Sequence, residues 1–315
     1  MIKTDICEML GIEYPIFQGG MAWIADAELA AAVSNAGGLG IISAMNANAE
    51  WLKGQIDKAR TLTNKPFGVN IMLMSPFADE VAKLVADEKV KVITTGAGNP
   101  SKYMKMWKEA GIKVIPVVPS TGLAKLAEKN GADAVIAEGG ESGGHIGELT
   151  TICLVPQVVD AVSIPVIAAG GIADGRGVAA TFMLGAQGVQ LGTRFLVAKE
   201  CNVHQNYKNK IINAKDIDTI TTGKRLGHPV RSLKNPYSRE FFKKEYDTTI
   251  TNEELEAFGR GSLRLAAVEG DEKKGCFLAG QISAMVTKEQ PAKEIIEEIF
   301  AETEKVLGGA SKWVK

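Results

Sequence analysis

The sequence has 315 residues, 45% of them hydrophobic and 23% charged, with a formal net charge of −1 and a pI near 6.4. That balance excludes attraction of the whole chain to nucleic acid or anionic lipid, while the length suits a single large core, since α/β barrels commonly run this long as one domain. The cysteines Cys7, Cys153, Cys201 and Cys276 form no C-x-x-C pair or zinc-like spacing, and no apolar run approaches the ~18 residues of a membrane helix, so a reduced, cytosolic protein is expected.

Residues 1–15 carry charges throughout and no apolar stretch of the kind a cleaved leader needs. From Tyr14 to Val197 short β-branched runs alternate with helical stretches, the pattern of repeated βα units. The strand candidates are residues 15–19, 39–43, 66–73, 90–96, 113–119, 132–139, 165–171 and 188–195. Their near-continuous apolar character predicts parallel strands covered on both faces. Helices are predicted over 27–36, with Asp26 as its cap and Gly37 as its stop, and over 77–87, 101–110 and 121–130. Eight such strands with helical crossovers predict a (β/α)8 TIM barrel, with a doubly wound open sheet as the alternative. Residues 200–250 are polar and aperiodic and read as an inserted lobe or lid after strand eight. Helical periodicity returns over 252–269, 276–288 and 290–307. The expected organisation is therefore 1–199 for the barrel strands, helices and site, 200–250 for the lobe, and 251–315 for helices completing the barrel.

In a parallel barrel the active site gathers at the C-terminal ends of the strands. Strand one ends in Gly20-Met21-Ala22, where a flat ring can rest on backbone with Met21 as an adaptable wall; a tight turn with a core methionine accounts for the same residues. Asn70 interrupts an apolar strand and needs partners, which a polar ring edge or the backbone would supply. Strand six runs into 138–147, EGGESGGHIG, which sets Glu138 at a strand end and His145 beyond Gly144 in a glycine-rich loop. An imidazole there can exchange protons near neutral pH, and His204 and His228, in the polar lobe, read as surface or lid residues. The pairs Gly170-Gly171 after strand seven and Gly192-Thr193 after strand eight stand at the two loops that commonly cradle phosphate in barrels. Glycines that simply make turns are the plainer reading of either pair alone.

The segments PIFQGGMA, LAAAVSNAGGLGIIS, KPFGVNIM, AVIAEGGESGGHIG and PVIAAGGIADGRG occur in order at these strand ends. Together they resemble the nitronate monooxygenase-like flavoproteins, and within them the enoyl-acyl-carrier-protein reductase II branch, over nearly the whole chain. Nitronate monooxygenases usually carry a proline before the methionine of the first motif; Gly20 stands there, as in the reductase branch. The resemblance implies non-covalent FMN with its phosphate near Gly170, Gly171, Gly192 and Thr193. It implies isoalloxazine contacts from Gly20, Met21 and Asn70, further cofactor contacts from Ala22, Glu138 and Gly144, and catalysis by His145. The implied reaction is reduction of a trans-2-enoyl thioester on acyl-carrier protein by NADH or NADPH, the last step of the fatty-acid elongation cycle, with activation by a monovalent cation. A G-x-G-x-x-G after the first strand is absent, so a Rossmann dinucleotide domain is not expected. The alternatives are a nitronate monooxygenase using FMN and oxygen and, from another class, a non-catalytic barrel binding a phosphate-bearing ligand. No nucleic-acid or membrane partner is expected, and a homodimer is left open. Between Lys224 and Lys244 the bases Lys224, Arg225, Arg231, Lys234, Arg239, Lys243 and Lys244 face the single acid Glu240. That patch would suit an acidic carrier protein; a solvated loop with surplus lysines explains it as well.

Overall fold

Strands form where the β-branched runs lie, and the computed structural model describes them within residues 2–44 and 47–313; the outermost residues of the expected first and last segments fall outside that description. In chain order they are β1 (Ile16–Gln18), β2 (Gly40–Ser43), β3 (Phe67–Met72), β4 (Val92–Gly96), β5 (Lys113–Val118) and β6 (Val135–Glu138). These are followed by β7 (Gly144–His145), β8 (Val166–Ala169), β9 (Gly188–Leu191), β10 (Thr219–Thr222) and β11 (Val230–Leu233). Eight of them pair in the order β1-β9-β8-β6-β5-β4-β3-β2, every pair parallel, and a Phe17–Leu39 bridge brings β2 back to β1. The sheet is thus a (β/α)8 barrel and not an open sheet.

Closure at the β1–β2 seam draws on a side chain. Gln18 is fully buried; its Oε1 accepts from the Ile41 N–H at 3.2 Å and its Nε2 donates to the Ile41 carbonyl at 3.2 Å. The amide stands in for ladder hydrogen bonds that a three-residue β1 cannot supply. Gln18→Leu leaves those buried backbone groups unpaired, so a loss of about 1–3 kcal/mol is expected in chemical denaturation. Unchanged stability would show that the seam closes without it.

The two-residue period of the strands sorts the core. Phe17, Ile41, Val92, Ile115, Ile136 and Ile167 fill the barrel interior. Their neighbours Val135, Val166 and Val189 face outward onto the helices. The N-terminal end is plugged by the helix Asp5–Leu10, whose Ile6 and Leu10 join the interior, with the Thr4 hydroxyl donating to the Gln187 carbonyl at 2.6 Å. The predicted helices appear at Ala27–Asn35, Ala78–Asp87, Ser101–Glu109 and Thr121–Lys129, and Asp26 caps the first by accepting from the Leu29 N–H at 3.0 Å. That helix lies so close on β2 that a Cβ at Gly40 would stand 1.8 Å from the Ala30 carbonyl oxygen.

Beyond β9, residues 200–250 hold the helices Gln205–Ile212 and Pro236–Glu245 and the hairpin β10–β11, which takes β7 as its third strand. The helix expected over 276–288 is corrected. Residues 276–280 run beside β11, with the Leu233 N–H donating to the Phe277 carbonyl at 2.8 Å, and only a 3-10 turn, Gln281–Met285, follows. The predicted 252–269 helix breaks after Gly259, where Gly261 takes φ +78°. The final helix, Ala292–Gly308, packs on the helices Gly175–Met183 and Ala27–Asn35, and Glu302 accepts from the Gly175 N–H at 2.8 Å. Among the described residues, no helix is long and apolar enough to cross a membrane.

Candidate active site

One step above the apolar interior, the same inward-facing positions turn polar. Ser43 pairs with Asn70 and Asn70 with Thr94, while on the far wall Glu138 and Gln190 flank Ala169 in register. The Asn70 Nδ2 donates to Thr94 Oγ1 at 3.0 Å, which leaves the Asn70 carbonyl oxygen and its second N–H for other partners. Asn70 and Glu138 were expected at this mouth from sequence; Ser43, Thr94 and Gln190 were not. Gly20 lies against Asn70, since a Cβ on it would fall 2.3 Å from the Asn70 Cβ. Met21 leans toward Gly192, and Ala22 follows it in the loop after β1, both partly exposed.

The loop after β8 rests on the loop after β6. Gly170 and Gly171 take φ +86° and +74°, conformations that a side chain would strain. Gly170 lies against Gly139 and Ser142, and Gly171 against Glu141. Thr151 ties this corner together: its hydroxyl donates to the Gly170 carbonyl at 2.9 Å, and its Oγ1 lies 2.6 Å from the Glu141 carboxylate. The Thr193 hydroxyl accepts from the Gly280 N–H at 2.9 Å, which fixes its oxygen and leaves its O–H as a donor. The buried Ser142 Oγ has no partner in hydrogen-bond geometry. Burial pushes the Glu138 carboxyl up to about 7, with nearby Ser142 opposing the shift.

His145 departs from the sequence reading of a loose glycine loop. It belongs to β7, with Val230 of β11 opposite it and Arg231 opposite Gly144, and the Ile146 N–H donates to the Pro229 carbonyl at 3.0 Å. The lobe supplies the packing that the glycines lack. The imidazole keeps a solvent-exposed edge, yet the surrounding protein pulls its pKa below the usual histidine range, first by desolvation and then through the charge of His228. At neutral pH the ring is therefore mostly uncharged.

The basic patch on the lobe is smaller than its sequence suggests. Arg225 is spent on the Asn252 side chain and on the Glu245, Asp247 and Ile250 carbonyls, and Lys234 donates to the Ile217 carbonyl at 2.6 Å. Half-buried Arg231 turns inward to the barrel loop, and Lys244 lies 3.6 Å from Glu240. Lys224, Arg239 and Lys243 are left as exposed bases. Counting charges could not reveal which guanidinium and ammonium groups bind carbonyls of their own fold.

A closed parallel barrel that gathers carboxyl, amide and hydroxyl groups at its C-terminal mouth is the frame of a (β/α)8 enzyme. The chain belongs to the nitronate monooxygenase family, whose profile matches residues 3–83 and 76–302; these are oxidoreductases for which FMN is the expected cofactor. Its structure superposes on that of FabK from Thermotoga maritima with a TM-score of 0.97 and 50% identity, covering 100% of both chains. A probable nitronate monooxygenase of Staphylococcus aureus is 36% identical over 97% of this chain and 98% of its own. A nitroalkane oxidase from Streptomyces ansochromogenes matches with a TM-score of 0.84 and 28% identity over 95% of this chain and 98% of that one.

Proposed function

We propose that this protein is an FMN-dependent enoyl-acyl-carrier-protein reductase, reducing trans-2-enoyl thioesters with NADH or NADPH. The observation that carries this reading is the end-to-end likeness to FabK, an enoyl-acyl-carrier-protein reductase II, at 50% identity, against 36% and 28% for the nitronate- and nitroalkane-acting relatives.

The mouth suits the cofactor. A flat heteroaromatic ring needs donors and acceptors around its edge, and Asn70, Thr94, Glu138 and Gln190 provide both. The phosphate needs backbone amides with no side chain in the way; Gly170, Gly171 and Gly192 meet that requirement, and the Ser142 hydroxyl lies beside Gly170. Met21, opposite Gly192, supplies an apolar wall. When bound, FMN supplies the two-electron relay between the nicotinamide and the β-carbon of the substrate.

The residues of the chain handle charge and protons. Reduction at the β-carbon throws negative charge onto the thioester oxygen. A neutral imidazole N–H from His145, held by the β7–β11 ladder, stabilises that oxygen as a preorganised donor. An uncharged ring is a poor acid, so the α-carbon takes its proton from water at the exposed edge of the mouth. Under anaerobic conditions NADH or NADPH should bleach the bound flavin, and a trans-2-enoyl thioester should restore its colour, in assays run with and without an added monovalent cation. A flavin that nicotinamide does not reduce, together with oxygen uptake driven by an alkyl nitronate, would replace this reading with the monooxygenase one.

A further inference from the structure

The segment that bears His145 is held from outside the barrel. Arg231, on β11, donates through Nη2 and Nε to the Gly140 carbonyl at 2.9 and 3.3 Å, and through Nη1 to Thr219 Oγ1 on β10 at 3.2 Å. The Gly140 N–H is taken as well, by the Leu149 carbonyl at 2.7 Å. Both backbone groups of this one residue, midway between Glu138 and Ser142, are therefore pinned. The guanidinium also feels the charge of Glu141, the carboxylate bound by Thr151. A planar fork can hold a loop carbonyl and a strand hydroxyl at once, whereas a lysine ammonium cannot match that geometry. Five residues past Gly140 stands His145, locked opposite Val230 in the same register that sets Arg231 opposite Gly144.

We propose that Arg231 is a positioning residue for the enoyl half-reaction: the lobe, through Arg231, fixes the 140–145 segment so that the His145 N–H stands at the thioester oxygen. This rests on the catalytic role assigned above to His145. Arg231 acts through Gly140 and the β7–β11 ladder and makes no contact with substrate. Its loss should thus appear in the rate of substrate reduction and not in flavin content or nicotinamide oxidation, and should be the same for carrier-protein and coenzyme A thioesters.

The test is a double-mutant cycle on the FMN-loaded enzyme, with the two half-reactions followed separately by stopped-flow absorbance. A displacement of about 1 Å at a reacting group costs on the order of 10²-fold, so Arg231→Met should slow the enoyl step by roughly that factor with its KM little changed. Arg231→Lys should fall between it and the wild type, and serves as the test variant should the methionine form not fold. In a His145→Ala background either substitution should have almost no further effect, because the positioned group is gone. Free guanidinium should restore part of the rate to Arg231→Ala but not to His145→Ala. Full additivity of the Arg231 and His145 effects, or equal slowing of both half-reactions, would overturn the proposal. A His145→Ala enzyme that reduces enoyl thioester at the wild-type rate would instead overturn the reading beneath it.

Discussion

His145→Ala is expected to slow reduction of the enoyl thioester by roughly 10²–10⁴-fold, the range typical for loss of a positioned acid, base or donor. The flavin should stay bound, because the glycine loops after β8 and β9 lie elsewhere on the mouth, and nicotinamide oxidation should change little. His145→Gln keeps a neutral N–H donor and should recover part of the loss, which alanine cannot. The pH dependence separates two roles for the ring. Its pKa is lowered by desolvation and by His228. Were the imidazolium the working form, it would exist below that depressed value and disappear as pH rises, and the enoyl rate would fall about tenfold per pH unit across the neutral and alkaline range. A neutral donor is already fully formed there, so the rate should be flat. Glu138, pushed up to about 7, titrates in the same window, and the profile is best read in a Glu138→Gln background. A rate falling with unit slope in that background would assign His145 the acid role.

How much of this could be read from the chain depends on whether a residue's environment is local. The barrel strands announce themselves because each is a short Val/Ile run covered on both faces. The helix after Asp26 carries its own cap and stop. The polar mouth is harder to see: Ser43, Thr94 and Gln190 are each one polar residue in an apolar strand. Only closure of the barrel shows that they share the inward face with Ile41, Val92 and Phe17. A period of two sets Ser43 with Ile41 and Thr94 with Val92 on one face, but which face points inward is decided only when the barrel closes. The 276–288 stretch spaces its apolar residues like a helix, yet Gly280 packs on Glu141 and gives its N–H to Thr193, partners that lie far away in sequence. His145 looked loose for the same reason. Its restraint comes from Val230, 85 residues downstream in the sequence. Arg231 and Lys234 looked like surface charge because their carbonyl acceptors are invisible to a charge count.

Gly192→Val is expected to weaken FMN binding while leaving the flavin-free barrel folded. The position is a sharper probe than its neighbours. Gly170 and Gly171 have positive φ, and a Cβ on Gly170 would come within 2.7 Å of the Gly139 carbonyl oxygen, so substitution there strains the fold itself. Gly192 sits at φ −108°, where any residue fits, and a Cβ on it would meet the Met21 sulfur at an ordinary 3.6 Å. The added side chain thus projects toward Met21, across the loop after β9 on which the phosphate is proposed to rest. Crowding a well-fitted site costs about 1–3 kcal/mol, which corresponds to roughly 5- to 150-fold in affinity. Titration of flavin-free protein with FMN measures the loss, and thermal unfolding of the same preparation checks that the barrel is intact. An intact variant with wild-type FMN affinity would move the phosphate off the β9 loop and leave Gly192 as the residue that lets Met21 lie close to the barrel wall.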